Sequence, residues 1–230
     1  NDSAANPGVL NLSQAVNGVL GSTLQLNTTS TEAAPYYLTT TGTAAGAALS
    51  FVGKTNVLNT NGYNVFTAPV SHAGDTIING GTLQFAQGGS IVGITSSATS
   101  IGSDEVVSST GGVFLNAGTL DLGGSILSVS TESGAAFTLA GGTLRNGVLS
   151  ATSHALHAGT VDATLSGFGA ITKSTSGTVY LNATPTAGGG TNIMDGTLVL
   201  GASAPFGEAT LVGGMLDLGG GSHTQLTVTP

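Results

Sequence analysis

The chain has 230 residues and no Cys, and only 6% of its residues are charged, against roughly a quarter in an ordinary globular protein. Three basic residues oppose eleven acidic ones, so no basic surface for nucleic acid or an anionic membrane can be assembled. No apolar run approaches the roughly 20 residues that span a bilayer. A positive mean hydropathy argues against disorder, and abundant Gly, Thr, Ser, Val and Leu favour an all-β protein.

Residues 1–70 are the least regular part of the chain. Segments 22–26 and 48–52 alternate between apolar and polar residues as strands do, and Asn61-Gly62 is typical of a tight turn. We expect residues 1–70 to form an irregular N-terminal cap with weak coils, and residues 71–230 to form one continuous repeat domain. The chain begins with Asn1 and lacks a charged-then-apolar leader, so we expect a processed or excised segment.

From residue 74 onward one short phrase recurs: Gly, Thr, an apolar residue, any residue and a second apolar residue. Full or degenerate copies begin at Gly81, Gly118, Gly142, Gly159, Gly177, Gly196 and Gly214. Successive copies are separated by 37, 24, 17, 18, 19 and 18 residues. A period near 18 indicates a repeat architecture. The first gap is about twice the later ones, so we expect a degenerate copy inside it, near residues 99–102.

The alternation within the phrase places its two apolar residues on one face of a strand. One such strand cannot bury its apolar face alone, but stacked copies bury a continuous column. A short apolar segment and a turn precede most copies, so each coil should contain a strand, a sharp corner and a second strand. We predict a single right-handed parallel β-helix with coils of about 18–20 residues and a less regular N-terminal third. The chain then forms about twelve coils and a rod of roughly 55–60 Å.

Stacking assigns the repeated positions to columns. The Thr column should point outward and contains Thr82, Thr119, Thr143, Thr160, Thr178 and Thr197, followed by Met215. The inward column should contain Leu83, Leu120, Leu144, Val161, Val179, Leu198 and Leu216. The variable column places Arg145 between Asp121 and Asp162, so the only Arg should have a carboxylate on each side. Exposed ion pairs are typically worth about 0–1 kcal/mol, so these would fix register more than stability.

Residues 165–207 closely resemble the autotransporter-associated β-strand repeat of bacterial type V secretion passengers. The matching elements are Gly167-x-Gly169, Ile171-Thr172-Lys173, the segments 176–181, 188–193 and 196–201, and Ala204-Pro205-Phe206-Gly207. Residues 74–85 match in part. The resemblance implies a right-handed parallel β-helix that is exported to the bacterial cell surface or the medium. Because that family displays many activities on this fold, the resemblance implies little about the specific function.

Enzymatic use of the fold is the alternative, as a polysaccharide lyase or a hydrolase. Lyases on the β-helix fold resemble one another in using Arg or Lys as the catalytic base. The only Lys and Arg residues in this chain are Lys54, Arg145 and Lys173. A hydrolase needs two carboxyl groups across a groove. Asp104-Glu105 is the only adjacent acidic pair, and its loop-like context favours a solvated turn.

The remaining polar residues are explained better by structure than by chemistry. Asp162, Asp195 and Asp217 occupy repeat or corner positions, where Asp caps turns. His154 and His157 have a spacing that points their side chains to opposite faces of a strand, and we expect corner histidines near the surface; His72 and His223 are isolated. Gly188-Gly189-Gly190 is predicted to be a corner of the repeat. It is not predicted to bind phosphate, because it lacks the Lys-Ser/Thr of a phosphate-binding loop.

We therefore predict a non-enzymatic extracellular structural β-solenoid and assign no catalytic, cofactor-binding or metal-binding residue. Two forms remain open: a surface-displayed stalk or adhesin that contacts a cell-surface or glycan ligand, and a subunit that self-associates end to end or laterally into fibres. The predicted partners include no nucleic acid, and this segment should not insert into a membrane. The segment around residues 91–109 and residues 1–70 are the expected places for binding specificity.

Overall fold

A computed structural model describes residues 9–12, 16–17, 23–40, 49–52, 56–67, 70–71, 74–86, 91–92, 106–109, 112–129, 136–201, 206–220 and 227–229. The described chain is all β, with strands of two to nine residues and no helix. Short strands between frequent turns are what a sequence rich in Gly, Thr, Val and Leu favours.

The strands follow one another closely along the chain. The first nine are β1 (Val9–Leu12), β2 (Val16–Asn17), β3 (Thr23–Asn27), β4 (Tyr36–Thr40), β5 (Leu49–Val52), β6 (Asn56–Asn61), β7 (Tyr63–Phe66), β8 (Val70–Ser71) and β9 (Thr76–Ile78). The next nine are β10 (Thr82–Phe85), β11 (Ile91–Val92), β12 (Val106–Ser109), β13 (Val113–Leu115), β14 (Thr119–Asp121), β15 (Ile126–Val129), β16 (Phe137–Leu139), β17 (Thr143–Ala151) and β18 (His154–Leu156). The last eight are β19 (Gly159–Ser166), β20 (Ile171–Lys173), β21 (Thr178–Leu181), β22 (Thr191–Ile193), β23 (Thr197–Leu200), β24 (Glu208–Leu211), β25 (Met215–Asp217) and β26 (Thr227–Thr229).

Two long ladders form the main faces of the molecule. The first ladder runs β1-β4-β7-β10-β14-β17-β19-β21-β23-β25, and the second runs β3-β6-β9-β13-β16-β18-β20-β22-β24-β26. Neighbouring strands are parallel throughout, so each turn of the chain adds one strand to each face. This is a parallel β-helix, which confirms the predicted fold class. At about 4.8 Å between strands, the ten strands of one ladder span roughly 43 Å.

A shorter third side completes the coil. Strands β2, β5, β8 and β11 form a four-stranded sheet. β12 pairs with β15, and β15 pairs in turn with the second half of β17. β17 bends from the first face onto this side at Asn146 and Gly147, where Asn146 has φ 60°. Beyond β19, the described chain that joins β21 to β22 contains no strand. The third side is therefore irregular in the coil between β21 and β22.

The 37-residue gap in the repeat is a single oversized coil. Thr82 pairs directly with Thr119, and Ile77 pairs directly with Phe114, so no complete rung lies between them on either main face. The prediction of an extra degenerate copy in this gap is therefore wrong, and its proposed position at 99–102 lies outside the described residues. The extra length instead leaves the main faces, since β11 and β12 pair on the third side. The longest described ladder consequently has ten strands where about twelve coils were predicted.

The predicted inward column forms the core between the faces. Leu83, Leu120, Leu144, Val161, Val179 and Leu198 are all fully buried, and Leu216 is partly buried against the same core. Burying a Leu or Val side chain contributes roughly 1.5–3 kcal/mol, so this column is a major source of stability.

The column prediction fails at one step. Val161 pairs with Leu181, and Thr160 pairs with Tyr180, so the Thr column does not continue from Thr160 to Thr178. The slip is two residues long. Since strand side chains alternate with a period of two, the slip keeps every apolar residue on the inner face.

The N-terminal strands belong to the same ladders. β3 pairs with β6 and β4 pairs with β7, which leads directly into the regular coils. Their core contains two buried amides, because Asn64 occupies the inward position that Leu83 takes one coil later. Asn64 Nδ2 donates to Asn59 Oδ1 at 2.8 Å, and Asn59 Nδ2 donates to the Gly80 carbonyl at 2.7 Å. The two side-chain amides are thus hydrogen-bonded to each other and to the Gly80 carbonyl at a corner.

Candidate functional site

The densest cluster of polar side chains surrounds Asp121 on the outer surface of the first ladder. Its carboxylate is buried and accepts four hydrogen bonds. The donors are Arg145 Nε at 2.9 Å, the Gly123 amide at 2.9 Å, Asn146 Nδ2 at 3.1 Å and Gln84 Nε2 at 3.3 Å. A buried carboxylate requires such donors, since an unpaired one would be costly to desolvate. The cluster links three successive coils.

The ionisable groups around Asp121 affect one another. Burial lowers the pKa of Arg145, but the charge of Asp121 and its hydrogen bond, together with Tyr63 and Glu32, outweigh burial and raise that pKa. Burial raises the pKa of Tyr63, and the Asp121 and Glu32 carboxylates add to this effect while Arg145 opposes it. Tyr63 is therefore a neutral phenol near neutral pH, and Arg145 is a permanent cation.

The register of this cluster was predicted, and its pairing was predicted only in part. Asp121, Arg145 and Asp162 do occupy adjacent rungs. Arg145 forms its salt bridge with Asp121, whereas Asp162 accepts a hydrogen bond from Asn182 Nδ2 at 2.7 Å. The two-residue slip explains this, because it places Asn182 beside Asp162. Arg145 therefore has a carboxylate residue on each neighbouring rung, as predicted, but its salt bridge is with Asp121. The expectation of an exposed pair is wrong, because Asp121 is buried.

Lys173 lies inside the β-helix. It is fully buried and pairs with Leu156 on one side and Ile193 on the other, within an otherwise aliphatic column. Its ammonium donates to the carbonyls of Thr175 and Asp195 at the corners. Burial lowers the pKa of Lys173, and the nearby Asp195 opposes that shift. The alternation in Ile171-Thr172-Lys173 could have indicated this position, because Lys173 shares the face of the buried Ile171.

His154 is also inward, so the prediction that it is a corner histidine near the surface is wrong. It is 1% exposed and stacks between Phe137 and Ile171, with the Phe137 ring edge-on at 6.5 Å. Within the described part of the chain, neither ring nitrogen has a hydrogen-bond partner. Burial lowers the pKa of His154, and the carbonyls of Ala170, Leu149 and Ser166 oppose the shift. The pattern His-Ala-Leu repeats Phe-Thr-Leu of β16, which was the available signal.

The other acidic candidates have structural partners or lie outside the described residues. Asp195 Oδ1 accepts the Gly196 amide at 2.7 Å, and Asp217 Oδ1 accepts the Gly219 amide at 2.9 Å, which confirms their turn-capping role. His157 lies at a corner after β18, as predicted. Five further candidates fall outside the described chain: Lys54, His72, Asp104, Glu105 and His223.

The described residues contain no group of three or more His, Cys, Asp and Glu side chains that could hold a metal ion. Nor does the described part of the chain contain a helix long and apolar enough to cross a membrane.

A cleft of about 340 Å³ opens on the third side, where strand pairing stops. It is bordered by residues 184–188 and 206–208, together with Ile171, Gly190 and Thr191. Gly188 and Gly190 form the predicted corner before β22. Among the described lining residues, Glu208 is the one charged side chain, and it is exposed. Sequence reasoning missed this cleft because it depends on how two irregular connections stack.

An aromatic side chain stands next to the cleft. Phe168 is 98% exposed, in the turn between β19 and β20. Gly188, which lines the cleft, donates its amide to the Gly167 carbonyl at 2.8 Å, so the Phe168 turn lies directly against the cleft wall. Other exposed apolar side chains lie in the last described coils: Met194, Val212, Met215 and Leu218.

No protein-family model, curated protein or solved structure matches this chain.

Proposed function

We propose that this chain is a non-enzymatic β-solenoid passenger of the autotransporter type, exported and displayed on or released from a bacterial surface. It would act as a stalk or adhesin. The observation that carries the proposal is the unbroken pair of ten-strand ladders, which turns a nearly uncharged sequence into a rod about 43 Å long. Such a rod separates its two ends and presents one continuous lateral surface along its length.

The use of the polar side chains supports a structural role. Asp121 and Arg145 bind each other, Asp195 and Asp217 cap turns, and Lys173 binds corner carbonyls inside the core. The only charged described residue that lines the cleft is Glu208. Glycoside hydrolysis requires a second carboxyl group across the groove. These observations favour a structural protein over the glycan-active enzyme alternative.

Low charge supports a role at a surface that faces variable surroundings. With 6% charged residues, few exposed ion pairs can form, so stability should depend little on ionic strength. A side-chain ladder also reinforces the backbone between coils, since Asn116 Nδ2 donates to Asn79 Oδ1 at 2.8 Å.

Surface display is tested in the cells that make the protein. An epitope tag placed next to Gly124, which is exposed with open space around it, should be labelled by antibody on intact cells. External protease should also remove the tag while a cytoplasmic control protein survives. Labelling only after lysis would overturn the proposal of display.

The choice between single rods and fibres is tested by electron microscopy of the purified chain. Discrete rods of about 43 Å or more support the stalk or adhesin form. Long filaments with a repeat near the rod length would replace it with the fibre form. Release of unsaturated or reducing ends from polysaccharides by the purified chain, abolished by Arg145→Ala, would establish the enzyme alternative.

A further inference from the structure

We propose that the cleft beside Phe168 is a binding site for a neutral sugar ring. Three features carry this inference: the size of the cleft, the polar groups that line it, and the exposed aromatic residue in the turn that lies against its wall. The inference deepens the adhesin form of the proposed function and rests on it for its setting. Binding by the purified chain can nevertheless be measured whether or not the chain is displayed.

The cleft has the size of a small-ligand site and is kept open by glycine. Its volume of about 340 Å³ lies at the low end of the range of roughly 300–1,000 Å³ that small-molecule sites occupy. Gly188 and Gly190 form part of its wall and place no side chain in it. A cleft of this volume fits one or two sugar units.

Thr191 places a hydroxyl in the wall of the cleft. It is only 4% exposed and lines the cleft, at the inward position that Ile171 and Ala209 fill in the neighbouring coils. Its hydroxyl makes no hydrogen bond to the described residues. A hydroxyl can both donate and accept a hydrogen bond, so a ligand hydroxyl in the cleft can pair with it.

The other polar groups of the cleft match a polyhydroxyl ligand without charge. Thr184 and Thr186 add two hydroxyls, and the Glu208 carboxylate can accept two hydrogen bonds from adjacent sugar hydroxyls. None of the described lining residues is a cation, so uronic acids, sialic acids and phosphates lack a counter-charge. Glu208 also repels them. The selectivity expected is for neutral sugars over acidic ones.

Phe168 provides the apolar surface that a sugar ring needs. Its ring gains nothing for folding, because it is 98% exposed. A hexopyranose presents one C–H face, and that face packs on an aromatic ring while the hydroxyls point to the side. Phe206, which is 6% exposed, and Ile171 add apolar surface inside the cleft. An exposed aromatic residue next to a cleft lined by several hydroxyls suits a sugar, which has both an apolar face and hydroxyls.

The experiment is a titration of the purified chain with the methyl glycosides of glucose, galactose, mannose, N-acetylglucosamine and N-acetylgalactosamine, with methyl glucuronoside as the acidic comparison. Saturation-transfer NMR and amide shifts report binding. We expect at least one neutral glycoside to bind with a Kd near about 1 mM, which corresponds to roughly 4 kcal/mol. Shifts should concentrate at residues 167–169, 184–191 and 206–208, and glucuronoside should bind about tenfold more weakly.

Variants tie the binding to the cleft. Phe168→Ala removes the platform, and Gly188→Leu adds a side chain at a wall position whose nearest atoms to a new Cβ are 3.7 and 3.9 Å away, which is ordinary contact. Each should weaken binding about five- to tenfold at an unchanged melting temperature. Val212→Ala, which trims an apolar residue that is 70% exposed outside the cleft, should have no effect.

Two outcomes would overturn the sugar site: no shift in the cleft with any neutral glycoside, or binding that Phe168→Ala and Gly188→Leu both leave unchanged. Either outcome leaves the proposed surface display untouched. Conversely, a chain that binds sugar but is not labelled on intact cells would refute the display and keep the site.

Discussion

Gly142 lies so close to Gly118 in the coil before it that a Cβ on Gly142 would sit 2.4 Å from the Gly118 carbonyl oxygen. Both residues have positive φ, 81° and 77°. Immediately after this contact, the Thr143 amide donates to the same carbonyl at 2.8 Å. The corner therefore requires glycine twice over, for its backbone conformation and for the distance between coils. The corners at Gly81, Gly118, Gly159, Gly196 and Gly214 are built the same way, whereas Gly177, which follows the two-residue slip, lacks the positive φ.

The first prediction separates those two requirements. Gly118→Ala adds a methyl group 2.3 Å from the Gly81 carbonyl at φ 77°, whereas Gly124→Ala has a similar φ of 83° and open space around it. The left-handed conformation alone costs about 1–2 kcal/mol. Overpacking adds about 1–3 kcal/mol. Urea unfolding should therefore show a larger loss for Gly118→Ala than for Gly124→Ala, by about 1–3 kcal/mol. Equal losses would mean that the coils can move apart at the corner.

The second prediction concerns the buried carboxylate. Asp121→Ala removes the acceptor of four hydrogen bonds and leaves Arg145 without its partner, so we expect the free energy of unfolding to fall by about 2–3 kcal/mol. Asp162→Ala is the matched control, on the other side of Arg145 in the same column and exposed. It should cost less than about 0.5 kcal/mol. Urea unfolding measures both losses. An equal loss of free energy of unfolding in Asp162→Ala and Asp121→Ala would contradict the prediction.

The third prediction is a pH dependence caused by His154. Burial lowers its pKa in the folded protein below the usual value near 6.5, so the folded state favours the neutral ring. Well above pH 6.5 the ring is neutral in both states and adds no pH dependence to the free energy of unfolding. Below it the unfolded chain takes up a proton that the folded protein does not, and stability falls until the lower folded-state pKa is reached.

The pH dependence is measured as the urea midpoint between about pH 7.5 and 5. His154→Leu should flatten the profile in this window, since Leu carries no titrating group. His157→Gln, at the nearby corner, should leave the profile of the parent. A profile that keeps its slope in His154→Leu would assign it to other groups.

The sequence predicted the repeat because each phrase carries its own corner and alternation, and these are local. The inward column from Leu83 to Leu198 follows from that alternation alone. The register slip at Thr160–Tyr180 could not be predicted from the sequence. Both registers bury the same face, and only the length of the intervening coil decides between them. The cleft could not be predicted from the sequence either, because it arises where the segments 184–188 and 206–208 stack without strand pairing. Inward Lys173 and His154 were visible in the alternation, but a polar residue type argued against burial.

The last prediction concerns what Lys173 contributes to the core. Its four-carbon stem fills an aliphatic column between Leu156 and Ile193, while its ammonium is desolvated and held by two carbonyls. Lys173→Met keeps the volume and removes the buried charge. The freed carbonyls belong to corner residues, of which Asp195 is exposed, so water can replace the ammonium. We expect Lys173→Met to change the free energy of unfolding by less than about 1 kcal/mol.

Lys173→Ala is the matched comparison, because it removes the stem as well as the charge. It should cost about 2–4 kcal/mol, as other large-to-small changes in a core do. If urea unfolding shows both variants equally destabilised, the ammonium and its carbonyls hold the two corners together, and the stem matters little. If only Lys173→Ala is destabilised, the stem supplies the stability, and the charge is a cost that the fold tolerates because the corner carbonyls lie within reach.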